Sequence, residues 1–98
     1  ESGDEFAKYL MESNYKNLIE ISLIMNRIEV DGVKYLSQAN FPKLEILNLE
    51  ENIIRYEGAL IVSEYNFPNL KKLNLNFCYI VKIRIMPEIN KPLKKIPY

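Results

Sequence analysis

One pattern is written two and a half times between residues 18 and 80, at a fixed spacing of 26. Leu18, Ile21, Leu23, Asn26 and Ile28 return as Leu44, Leu47, Leu49, Asn52 and Ile54, and again as Leu70, Leu73, Leu75, Cys78 and Ile80. Gly32 falls on Gly58, Phe41 on Phe67 and Pro42 on Pro68. A unit this short cannot bury its own apolar face and needs a neighbour of the same shape against it. A period in this range therefore predicts a solenoid. Running the register backwards sets Phe6-Ala7-Lys8-Tyr9-Leu10 over Gly32-Val33-Lys34-Tyr35-Leu36, with Tyr15 over Phe41. The N-terminal segment thus reads as the second half of an earlier unit.

Within a unit the rhythm changes. Leu47-Asn48-Leu49 alternates apolar and polar, as a strand with one buried face does. From Gly58 on, Ala59 and Val62 recur at helical spacing, with polar Ser63, Glu64 and Asn66 between them and the next corner. Gly32 to Ala39 reads the same way, with Val33 and Leu36 inward and Lys34 and Gln38 outward. Asp31 is the expected N-cap there, its charge suited to a helix N-terminus. Pro42 and Pro68, in the near-identical corners Asn40-Phe41-Pro42 and Asn66-Phe67-Pro68, stand where a helix has to have stopped. Each unit is expected to be a short strand, a turn, a helix and a return corner, with parallel strands in one sheet and helices on its opposite side.

Asn26 and Asn52 have a physical reason to be where they are. Turns packed between neighbouring units hold backbone N–H and C=O groups that water cannot reach and that must find partners. A carboxamide offers two donors and an acceptor, so a column of them can bridge successive turns. Cys78 takes the third rung, where a small thiol, a weak donor, tolerates burial. With no histidine in the chain to activate it, that thiol is expected to be structural rather than nucleophilic.

Leu44-x-x-Leu47-x-Leu49-x-x-Asn52-x-Ile54 resembles the leucine-rich-repeat signature, including its Asn-or-Cys alternative at the ladder position. Ile54-x-x-Glu57-Gly58-Ala59, and the opening Gly3-Asp4-Glu5-Phe6-Ala7-Lys8, are similar to the ribonuclease-inhibitor-like subtype, across roughly residues 4 to 80. Two departures stand out. The 26-residue unit is a little shorter than that subtype's usual one, which implies a helical side that is shortened or partly irregular. Phe6 replaces the expected glycine, which bears on where the first helix starts. The resemblance implies an α/β leucine-rich-repeat solenoid with its short parallel sheet on the concave side and helices on the convex side. It also implies protein binding on the concave face, an intracellular, cytoplasmic location, and no catalysis. The expected organisation is a repeat domain over 1–80, made of partial unit 4–17, units 18–43 and 44–69, and partial unit 70–80. An extended C-terminal segment, 81–98, would follow and could cap the last unit.

That segment breaks the pattern. Val81-Lys82-Ile83-Arg84-Ile85 alternates like another strand, and Pro87, Pro92 and Pro97 then forbid a regular helix. Its apolar Ile83, Ile85, Ile89, Leu93 and Ile96 could cover the last unit's core. Glu1 in place of Met reads as an excised piece or a processed product. If the chain is one segment of a longer solenoid, an architectural role is the alternative to binding. Open solenoid ends would also allow self-association through unpaired strand edges.

Composition narrows the classes further. Thirteen basic and thirteen acidic side chains cancel, so global charge argues for neither nucleic acid nor an anionic membrane. No apolar run approaches the roughly 18 residues of a membrane span. A single cysteine leaves no internal disulfide. The absence of histidine removes the commonest metal ligand and the usual base at neutral pH. Glu50-Glu51 is the only tight carboxylate pair near a surface strand, and strand neighbours face opposite ways, which suits neither a metal pair nor an acid–base pair. No phosphate loop, zinc spacing or nucleophile motif is present. Neither a catalytic residue, nor a metal ligand, nor a cofactor is expected.

The candidate site is therefore the outward face of the strands. Its lanes are Glu20, Ile46 and Lys72; then Ser22, Asn48 and Asn74; then Ile24, Glu50 and Asn76. Beside them run Met25, Glu51 and Phe77. Core packing does not dictate these positions, yet Ile24, Met25, Ile46 and Phe77 are apolar, as interface anchors are. A protein partner is the expectation. Nucleic acid is the weaker alternative, resting on Lys71, Lys72, Lys82, Arg84, Lys91, Lys94 and Lys95, with Tyr79 and Tyr98 able to stack on bases.

Overall fold

The computed structural model describes residues 3–81. Helix and strand alternate along it: α1 (Gly3–Glu12), β1 (Glu20–Ser22), α2 (Val30–Ser37), β2 (Ile46–Asn48), α3 (Arg55–Val62) and β3 (Lys72–Asn74). The three strands form one parallel sheet in chain order, with Glu20 opposite Ile46 and Ile46 opposite Lys72. That register is the sequence period itself. A slip of one residue would turn every strand leucine to solvent. Each strand is only three residues long, so pairing continues into the turns. There the Leu23 and Met25 N–H groups donate to the Asn48 and Glu50 carbonyls, and Leu49 and Glu51 repeat this on Asn74 and Asn76.

The inward members of each strand and turn share one interior with the helices. Ile21 and Leu23, Leu47 and Leu49, and Leu73 and Leu75 are all buried in a single cluster with Ala7, Leu10, Val33, Leu36, Ala59 and Val62. Full burial of one such aliphatic side chain contributes roughly 1.5–3 kcal/mol, which makes this cluster the main favourable term. The corner phenylalanines Phe41 and Phe67 are buried with ring centroids 6.0 Å apart, and Tyr65 meets Phe67 edge-on at 5.3 Å. The Tyr65 hydroxyl donates to the Val33 carbonyl at 2.6 Å, tying the end of one helical segment to the body of the one before.

Asn52 is wholly buried and fully used. Its Oδ1 accepts the N–H groups of Asn26 and Ile28, each at 2.9 Å. Its Nδ2 donates to the carbonyls of Leu23 (2.8 Å), Leu49 (2.9 Å) and Glu50 (3.3 Å). One carboxamide thus satisfies two turns at once. Cys78 takes the next rung as expected, buried, with its thiol 3.0 Å from the Leu49 carbonyl. Asn26 differs: it is exposed, and its Nδ2 reaches only the Ile24 carbonyl of its own turn. Among the described residues no earlier turn stands beside it to be bridged.

Two local expectations are corrected. Asp31 is not an N-cap; it lies inside the first turn of α2, whose cap position is Glu29, with no side-chain cap bond. Helix entry is served instead by Asp4 of the neighbouring helix, whose Oδ1 accepts the Glu29 N–H at 2.8 Å. Phe6 does not delay α1, which begins at Gly3. The glycine requirement there has moved to position 3, where a Cβ would run into the Asn26 carbonyl. A side chain at Gly32 would instead meet the Asp4 carboxylate and the Ile28 side chain, so it would have to displace the group that accepts the Glu29 N–H. Both α2 and α3 are eight residues long, the short helical side implied by the 26-residue unit. Among the described residues no helix is long and apolar enough to cross a membrane. Of the C-terminal segment 81–98, only Val81, exposed, is within the described residues.

Asn52→Ala is expected to cost on the order of 1–3 kcal/mol by orphaning buried turn groups, whereas Asn26→Ala should stay within about 0.5 kcal/mol. Urea melts of the two variants check this asymmetry. Burial of its hydroxyl pushes Tyr65 above the usual phenol value of 10.0. The native state therefore favours the protonated phenol. Its contribution is complete below pH 10 and is lost as pH climbs above that value, where the unfolded chain ionises first. Tyr65→Phe should cost about 1 kcal/mol near neutrality and flatten the alkaline fall in stability, read from melts across that range.

Candidate functional site

Two of the three lanes fall on the strands, whereas the third, Ile24, Glu50 and Asn76, lies in the turns just beyond them, because each strand ends after three residues. Glu20, Ser22 and Lys72 are exposed, while Ile46, Asn48 and Asn74 are half-buried on the same open face. Polar side chains organise the floor. Asn48 Oδ1 accepts the Glu50 N–H at 3.1 Å and Asn74 Oδ1 accepts the Asn76 N–H at 2.8 Å, so both asparagines brace the turn two residues ahead. Asn74 Nδ2 then donates to Glu50 Oε1 at 3.2 Å, holding that carboxylate across two units. A shallow hollow of about 400 Å³ lies along β2 and β3, bordered by Ile46, Asn48, Lys72, Asn74 and Asn76.

A second hollow, of about 670 Å³, runs over the turns at the strand ends. Two triplets line it, Met25, Glu51 and Phe77, and Arg27, Ile53 and Tyr79. Both triplets keep the 26-residue spacing. Met25 and Phe77 are 69% and 74% exposed, far more than their apolar surface would favour. Only the first triplet was among the outward lanes. The second carries the same period and sits one residue before the inward column of buried Ile28 and Ile54 and half-buried Ile80, so the spacing alone could have found it.

Backbone conformation explains how these side chains are presented. Met25, Glu51 and Phe77 all sit at φ of 57–59°, and Arg27 and Tyr79 at 58° and 59°. This left-handed region suits glycine and, less well, asparagine, because a Cβ crowds the carbonyl. None of the five is either. The tight turn throws each side chain outward, clear of the core.

Glu50 and Glu51 lie in the turn after β2 rather than on the strand, Glu50 half-buried and Glu51 exposed in the turn hollow. Among the described residues no group of three or more His, Cys, Asp or Glu stands close enough to hold a metal. Burial pushes the Cys78 thiol up, and the Glu50 carboxylate adds to this against the Asn52 and Glu51 backbone amides. Of the basic set, Lys71 lies 3.8 Å from Glu45 and Lys72 is exposed on the open face. Lys82, Arg84, Lys91, Lys94, Lys95 and Tyr98 lie outside the described residues.

Comparison of the chain with protein-family models, with curated proteins and with solved structures gives no match.

Glu51→Gly should raise stability by about 0.5–1 kcal/mol, the relief of the left-handed turn exceeding the entropy that glycine adds to the unfolded chain. A thermal melt of the variant beside the parent chain measures it.

Proposed function

We propose that this chain is a leucine-rich-repeat solenoid that acts as a non-catalytic protein-binding module through the open, concave face of its sheet and the adjoining turn hollow. The observation that carries this reading is the row Met25, Glu51 and Phe77, held outward by turns in a conformation its residue types disfavour. Side chains that oppose their own backbone geometry and serve no core are commonly retained for what they touch. Around them, Ile46 and Ile24 supply further apolar surface. Glu50 and Lys72 supply opposite charges on the open face, a mixture that resembles an interface core with a polar rim. The shared 26-residue period of sequence and strand register supports the solenoid. An intracellular, cytoplasmic setting is part of the same reading and rests on the family resemblance.

The expected partner is a protein that sets aromatic or aliphatic side chains into the turn hollow and polar groups over Asn48, Glu50 and Asn74. Replacing Ile46, Glu50, Lys72 and Phe77 by alanine or opposite charge should leave the melt cooperative and abolish capture of partners from cell extract. The helix-side control Lys34→Glu should leave capture unchanged. Partners retained equally by all variants would contradict the reading.

A further inference from the structure

We propose that the turn hollow takes an α-helix of the partner protein, laid across the three units. Its contact face carries a basic side chain, with an acidic one a turn to one side and an aromatic or aliphatic one a turn to the other. This inference rests on the binding reading above and names what fills its hollow.

Charge sets the chemistry. The hollow is built in three columns, one from each unit: Met25 with Arg27, Glu51 with Ile53, and Phe77 with Tyr79. Read across the units it is cationic, then anionic, then aromatic. Arg27 and Glu51 are both exposed and border the same hollow, yet no ion pair joins them; among the described residues the pair that forms is Lys71 with Glu45. The rest of the wall is apolar or aromatic. Covering it with an uncharged surface would strand both charges away from water, which is costly. An occupant that brings an acid to Arg27 and a base to Glu51 avoids that cost, and its next side chain along meets Phe77 and Tyr79. Ile53 is half-buried between the five exposed side chains and forms the floor on which the occupant seats.

Spacing sets the shape. The Met25 N–H donates to the Glu50 carbonyl and the Glu51 N–H to the Asn76 carbonyl, each at 3.0 Å, so the turns keep the separation of the strands. Successive columns therefore stand about 4.8 Å apart, the ordinary distance between parallel strands. A helix rises about 5.4 Å per turn and sets side chains i, i+4 and i+7 on one face. Over three columns the two series drift apart by only about 1 Å. An extended segment repeats its face about every 6.7 Å and is about 4 Å out of step by the third column. The hollow thus matches a helix lying across the units, the groove mode of helix recognition. An acid and a base one turn apart also stabilise the helix that carries them.

Two displayed peptide libraries test this, one held helical by its scaffold and randomised along one face, the other of equal length and unconstrained. Both are selected on the full chain and on the double variant Arg27→Glu with Glu51→Arg. That variant exchanges two residues already accommodated at left-handed turns, so its circular dichroism and melt should match the parent's. On the parent chain the helical library should enrich a base with an acid one turn to one side and an aromatic or aliphatic residue one turn to the other. Each selected helix should bind the double variant roughly tenfold or more weakly. On the double variant the two charges should trade places. Helices with the same charge pattern on both chains, still lost on replacing Phe77, overturn this proposal and leave the binding reading standing. Helices that survive both this exchange and the replacements at Ile46, Glu50, Lys72 and Phe77 tell against both. The proposal also falls if the unconstrained library yields the tighter binders, or if no helix is selected because other residues fill the hollow. A mass that doubles with concentration and is restored to the monomer by Arg27→Glu, the mark of a second copy in the hollow, overturns it as well.

Discussion

A buried turn is the hardest thing this chain has to build, and the Asn52 carboxamide is what makes it possible. Strands of three residues cannot satisfy the backbone of the segments that follow them, and water does not reach those segments once neighbouring units close. Asn52 answers with five hydrogen bonds, two accepted and three donated, spread over its own turn and the preceding one. Among the described residues no buried side-chain nitrogen or oxygen lacks a partner. The leucine columns supply the larger favourable term, but apolar contact has no direction. The carboxamide fixes which turn lies over which, and so fixes the register in which the leucines meet.

Much of this was legible in the sequence because the period is long and strict. Equal spacing of Ile21, Leu47 and Leu73 names the residues that pair across the sheet, and the strand register agrees at every position. Helical segments were legible from Val33 with Leu36 and from Ala59 with Val62. Boundaries were not. Asp31 looks like a cap by composition, but the helix starts one residue earlier, and an aspartate from a different segment serves its entry. That partner is 25 positions away in sequence, beyond the reach of any local rule. The left-handed turns were equally hidden. Glycine or asparagine would have announced them, and Met25, Glu51 and Phe77 do not. Arg27 and Ile53 escaped notice, and Tyr79 was read only as a base-stacking residue, because the three flank an inward column rather than belong to a strand, although they keep the same spacing.

Two kinds of surface result from one repeated geometry. Turning each strand's inward side to the leucine core frees its outward side, and the turn beyond it lifts a further side chain into solvent. Repetition then lines these side chains up, so a feature that would be trivial in one unit becomes a hollow across three. The binding reading draws on both, the strand face and the turn hollow.

Native-state hydrogen exchange at the Ile28 amide tests the central claim most directly, because that N–H has the Asn52 side chain as its acceptor and lies outside every helix and strand. If the carboxamide holds the turns together, this amide exchanges only through global unfolding, with protection equal to that of Leu23 and Leu49. Exchange at the rate of an exposed loop, while those leucine amides stay protected, would show that the turns are held by something else.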